Sequence, residues 1–217
     1  MSGRIGARAT CFDPAVETAR YSDEVLAAAT GLDPEGRALL QEDLRSPCTE
    51  EIAVFRAFAR MVDCARERIV VLDTAPTGHT LLLLDAAQSY QREVKRINAD
   101  VPAEVSQLLA RLRDPEFARM LVITLAESTP VQEADRLQAD LRRAGIEPFG
   151  WVINASLAAG ETTHPTLRAR AAGELTHIEH AQRSSAHATW LIGWQPEAPV
   201  GVAALRELTA GAAVGVG

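Results

Sequence analysis

Apolar residues first recur along this chain at helical spacing. Asp13-Pro14, Asp33-Pro34 and Ser46-Pro47 each set an N-capping side chain before a proline at the first helical position. Val16, Ala19, Tyr21, Val25 and Leu26 follow the first signal, and Ile52, Phe55, Phe58, Ala59 and Val62 follow the third. The opening third is therefore predicted to be helical, with the second helix ending near Arg45. The period then changes. Ile69 to Leu72 is an unbroken apolar run of the kind found in strands buried on both faces, and Met120 to Leu125, Phe149 to Ile153 and Thr189 to Ile192 give three more. Helical stretches lie between them, from Pro130 to Ala144 before Gly145 and from Glu161 to about Gln182. Strands alternating with helices predict an α/β fold with a mostly parallel sheet. The interval from Asp85 to Arg119 is too long for one crossover helix and is assigned to a helical subdomain, about 13–66 and 86–119. Residues 1–12 are expected to be a disordered lead-in, 13–210 one domain, and 211–217 a frayed, glycine-rich tail.

Composition narrows the function. The 217 residues are 47% hydrophobic with a formal net charge of −7, so no general field draws nucleic acid or an anionic membrane surface. No apolar stretch approaches the ~20 residues needed to cross a bilayer, which excludes direct membrane insertion and leaves a membrane role to a partner. Three cysteines, Cys11, Cys48 and Cys64, in a chain with no signal-like start suggest a reducing cytosol. Lys95 is the only lysine among 22 basic residues, and no glycine flanks it. The GxxxxGKS/T loop that cradles nucleotide phosphates therefore does not occur in these residues.

The most informative segment is Ile69-Val-Val-Leu-Asp73-Thr-Ala-Pro-Thr-Gly78-His79-Thr80. An acid delivered by a strand at its carboxyl edge can hold the water shell of a nucleotide-bound Mg²⁺, and Pro76 and Gly78 shape a turn able to change path. Hydrophobic strand followed by Asp is common, but the octapeptide DTAPTGHT is specific. It resembles the switch sequence of the arsenical pump-driving ATPases, the ArsA family, shared in part with the tail-anchored-protein targeting ATPases. Leu44-Arg-Ser46-Pro47-Cys48-Thr-Glu-Glu51-Ile-Ala-Val-Phe55 resembles the metalloid-site segment in the second half of the arsenite enzymes, with Cys48 standing 25 positions before Asp73 as that family has it. Similarity continues through Thr129-Pro130, the helix from Leu137 to Gly145, Gly150-Trp-Val-Ile-Asn154 and the region of Gly201, covering about Asp13 to Leu208.

The resemblance implies an incomplete P-loop-NTPase-type sheet, with the P-loop strand and first switch preceding the matched segment. It implies ATP with Mg²⁺ as cofactors, As(III) or Sb(III) as ligand, and a cytoplasmic location reached by the inner membrane only through a pump partner. By that resemblance Asp73 serves catalysis and the metal, Asn154 reads adenine, and Cys48, His79 and more weakly Ser46 bind the metalloid. Cys48 also has a physical case, since the first turn of a helix favours the thiolate that a soft cation binds. A lone loop histidine is ordinarily a polar surface residue, and a strand-end asparagine can simply bond its own turn. Cys64 is read as a core residue in mid-helix, and Cys11 is given no role. Ala155 stands where the family often has a second asparagine. Since As(III) prefers about three soft ligands, Cys48 and His79 would need a complementary ATPase half or a second chain. The leading expectation is a truncated or split part of an ATP-driven arsenite or antimonite efflux ATPase, inactive alone. A non-catalytic metalloid-binding or regulatory module docking on a complete ATPase is the second. A targeting relative is the third, disfavoured by the lack of a methionine-rich stripe.

Overall fold

The computed structural model describes residues 13–73, 103–160, 162–185, 187–211 and 214–216. The chain separates into two compact units, residues 1–109 and 110–217.

In the first unit all three signals start a helix, and in two of them the capping side chain acts as the sequence predicts. Helix α1 spans Pro14–Ala28 and α2 spans Pro34–Asp43. The Asp13 carboxylate accepts from the Ala15 amide at 2.9 Å and Asp33 accepts from Gly36 at 2.7 Å, so each satisfies a donor that the first helical turn leaves open. Helix α3, Pro47–Cys64, buries Ala53, Phe55, Ala57, Ala59 and Val62 and packs on α1. The pair is fixed at its rim by ion pairs from Arg56 to Glu24 and from Arg60 to Glu17, with the Arg56 guanidinium 5.1 Å from the Tyr21 ring centre. Helix α4, Ala103–Arg113, runs across the boundary between the units.

The run Ile69 to Leu72 departs from expectation. It joins no ladder, and Ile69 and Val71 are 95% and 88% exposed. An apolar run becomes a buried strand only when neighbouring strands and covering helices close over it. No described strand pairs with this one.

The second unit alternates as predicted: β1 Leu121–Leu125, α5 Ser128–Arg143, β2 Gly150–Ser156, α6 Pro165–Ser184, β3 Thr189–Gly193 and α7 Gly201–Gly211. The strands β1, β2 and β3 pair in parallel, in chain order. Beyond them β4, Val214–Val216, pairs antiparallel with β3. The tail expected to fray is thus held by backbone pairing to the edge of β3.

One face of this sheet is dry. Val122, Trp151 and Ile153 are at most 1% exposed, with Val131, Ala134 and Leu141 of α5 and Ile178 and Ala181 of α6 also buried. The indole of Trp151 donates to Gln138 Oε1 at 2.8 Å and Gln138 Nε2 donates to the Ser184 carbonyl at 3.1 Å, so the polar groups in this core are paired. Helix α5 ends in a Schellman turn. Gly145 has φ +79°, its amide donates to Arg142, and the Ile146 amide reaches back to Leu141. Just beyond, Arg142 forks onto Glu147 and holds that carboxyl below its ordinary range, the hydrogen bond being the main cause. The opposite face of β1 is open among the described residues: Leu121, Ile123 and Leu125 are 40–65% exposed.

Candidate functional site

The parallel strands deliver their carboxyl ends to one edge, where open α/β sheets bind ligands. Asn154 lies there, exposed, opposite Leu125 in register. The backbone around it is irregular. Ile153 pairs with Leu191 and Ser156 pairs with Gly193, so β2 uses three steps where β3 uses two. The extra residue is a β-bulge, and Ala155 within it has φ +52°. A bulge shifts the alternation of side chains. Without it Ser156 would share the face of Val152 and Asn154. With it, Ser156 turns to the covered face of Ile153 and is 1% exposed.

Ala155 occupies a left-handed conformation that favours glycine or asparagine. Relief of ~1–2 kcal/mol of steric cost, less ~0.5–1 kcal/mol of added chain entropy, gives a net gain of roughly 0.5–1 kcal/mol for Ala155→Gly. Chemical denaturation should therefore show a higher midpoint for that variant. An unchanged or lower midpoint would mean that the bulge is not the ground-state conformation.

A cleft of about 670 Å³ opens on the same edge, between Ala158, Ala159 and Gly160 after β2 and Gly193, Trp194 and Pro199 after β3. The Trp194 side chain is about half exposed, and its amide donates to the Ser156 carbonyl at 2.9 Å, tying the two lips together. The cleft sets the flat surface of Trp194 beside polar residues that include Gln195, Glu197 and Glu207, a mix of aromatic and polar lining common in small-molecule sites.

The metalloid candidates sit in the first unit. Ser46 is the N-cap of α3 by conformation, but its hydroxyl lies 3.1 Å from Thr49 Oγ1 and caps no amide. Cys48 occupies the first turn of α3, exposed and free, so its sulfur is accessible to a soft cation. Cys64 is the last residue of α3 and half-buried, in place of the predicted mid-helix position. Asp73 is exposed and outside any strand. His79 and the rest of the switch segment, with Cys11, lie outside the described residues. Among the described residues no three His, Cys, Asp or Glu side chains gather to hold a metal ion. Cys48 therefore has no co-ligand set in the described part of this chain.

Sequence reasoning missed Glu174. Its carboxylate is 7% exposed on α6, where it accepts from Ser156 Oγ at 2.8 Å and from the Ala158 amide at 3.1 Å. The available signal was an acid in line with Ile178 and Ala181, on the stripe of α6 that faces the core.

Comparison with known proteins gives a consistent picture. A family model described as anion-transporting ATPase matches residues 8–109. Arsenical pump-driving ATPases of Escherichia coli and Acidiphilium multivorum are 49% and 48% identical over 198 residues, covering 91% of this chain and 34% of each relative. A putative arsenical pump-driving ATPase of Halobacterium salinarum is 28% identical over 182 residues, 79% of this chain and 28% of its own length. The chain thus spans about a third of the length of the curated relatives it matches. No described helix is long and apolar enough to cross a membrane.

Proposed function

From the premise that this chain belongs to the ArsA family of anion-transporting ATPases, we propose that it is part of an ATP-driven arsenite or antimonite efflux ATPase, contributing a metalloid thiolate and a nucleotide-responsive loop. The observation that carries this reading is the 49% identity, across 91% of the chain, to an arsenical pump-driving ATPase. The exposed thiol of Cys48 in the first turn of α3 supports it, because amides at a helix start favour the charged form that a thiophilic As(III) or Sb(III) takes up. Ser46 stands beside it and His79 is the third candidate ligand. A complementary ATPase half or second chain would complete the soft ligand set.

Each unit, taken by itself, carries one group of a kind that ATP or its Mg²⁺ uses. Asn154, exposed at the ligand edge of the sheet, offers both a donor and an acceptor to an adenine edge. Asp73 offers a free carboxylate to the water shell of the metal. The phosphates find no glycine-rich lysine loop within these 217 residues. When bound, ATP supplies the transferable phosphoryl group. Coupling to extrusion would pass through a membrane pump partner, and the chain would then work in the cytoplasm at the inner membrane surface.

A second reading is a non-catalytic metalloid-binding or regulatory module that docks on a complete ATPase, and the lack of a phosphate loop in these residues is common to both readings. The two readings share the site at Cys48. Alkylation of the three cysteines, mapped by peptide mass spectrometry with and without Sb(III), should show protection at Cys48 and little at Cys64. Protection of Cys11 or Cys64 while Cys48 stays reactive would overturn the assignment.

A further inference from the structure

We propose that Glu174 is a positioning residue for base recognition: it locks the bulge that presents Asn154 and thereby sets discrimination between purines. This rests on the reading of Asn154 as the base-reading residue. Two features of the covered face support it. Ser156 reaches that face only because the bulge inserts one residue between Ile153 and Ser156, and there its hydroxyl meets the Glu174 carboxylate at 2.8 Å. The same oxygen, Oε2, accepts the Ala158 amide at 3.1 Å, so one buried atom holds the strand end and the first lip of the cleft. The Ser156 carbonyl in turn accepts from Trp194, on the second lip.

Loss of the bulge would carry Ser156 to the open face and redraw the backbone of Asn154 and Ala155, the two residues that lie within it. Ala155 at φ +52° works against the bulge, since a left-handed alanine is strained. The bulge therefore needs bonds from outside the sheet, and Glu174 supplies two of them from α6. Both bonds end on one oxygen, so glutamine at this position can accept both through its amide oxygen, whereas methionine, of similar length, can accept neither.

The test uses the full chain and two nucleosides, adenosine and guanosine, which need no phosphate site. Saturation-transfer NMR at millimolar ligand should show a preference for adenosine in the wild type. Glu174→Met should weaken adenosine binding about tenfold and leave guanosine unchanged, abolishing the preference, while Glu174→Gln keeps it within about threefold. Asn154→Ala should lose it as well. If Glu174→Met does not fold, Ser156→Ala, which removes one of the two bonds, should show a smaller loss of the same selectivity. Undiminished preference in a folded Glu174→Met or Ser156→Ala, with Asn154→Ala impaired, overturns the role of Glu174 alone. Undiminished preference in Asn154→Ala overturns the reading of Asn154. A wild type that binds neither nucleoside, or both equally, overturns both.

Discussion

Steady-state hydrolysis of Mg²⁺-ATP by the 217-residue chain is expected to stay at background. Phosphoryl transfer is catalysed almost entirely by positioning and by charges aimed at the transferring group, and the main donors are loop amides and a lysine. The single lysine, Lys95, has no glycine around it to build such a loop. Removing one such donor from an active site typically costs about 10²–10³ in rate, and here a whole set is missing from the sequence. Asp73, exposed at the end of an unpaired segment, cannot replace them, because a carboxylate adds negative charge beside the phosphates unless a metal is already held. The measurement is phosphate release with Mg²⁺ over a range of ATP concentrations, alone and with Sb(III). Turnover that vanishes in Asp73→Asn would show that this chain builds a phosphate site of another kind.

The chain is also expected to self-associate, and Ile123→Lys is expected to suppress that association by tenfold or more. In β1 an end strand of the sheet coincides with an open apolar face, Leu121, Ile123 and Leu125 being 40–65% exposed. Unpaired strand edges template pairing with other chains, and a contiguous apolar patch adds a driving force that scales with its area. A lysine at position 123 places charge in the middle of that patch while its aliphatic stem still covers β1, so little folding stability is lost. Sedimentation velocity across a wide concentration range decides it. A concentration-independent wild-type monomer with a sharp melting transition would mean that the chain closes its own sheet. A separate polypeptide carrying the family's phosphate-binding strand, added in trans, is expected to raise the melting temperature by covering the same surface.

The features legible in the sequence were those decided by neighbouring residues. Asp13-Pro14, Asp33-Pro34 and Ser46-Pro47 start α1, α2 and α3 because a proline at the first helical position acts locally, joined at the first two by a cap on an amide two or three positions ahead. The apolar runs that became β1 and β2 were legible because each is followed by a helix that packs on it, and the run that became β3 because it pairs beside β2. The identical kind of run at Ile69 to Leu72 misled, since burial depends on partners that a local pattern does not contain. The tail was misread for the converse reason: Gly215 between two valines looks weak alone, and its pairing comes from the open edge of β3. The place of Cys48 in the first turn of α3 and that of Asn154 near the end of β2 were legible from local pattern. The bulge and its link to Glu174 were not, because a one-residue register change appears only when β3 is set beside β2.

The order of strands in the sheet follows their order in the chain, and that bears on how the second unit comes into being. Each of β2, β3 and β4 finds its partner in the strand made just before it, so pairing never waits for a distant segment. Each parallel pairing waits only for the intervening helix, so the sheet can grow in chain order from the amino end during synthesis. A nascent chain can add one strand at a time, with α5 and α6 sealing the covered face as each leaves the ribosome. Among the described residues the outer border of β1 takes part in none of these steps, so a further strand can be seated there without taking the finished unit apart.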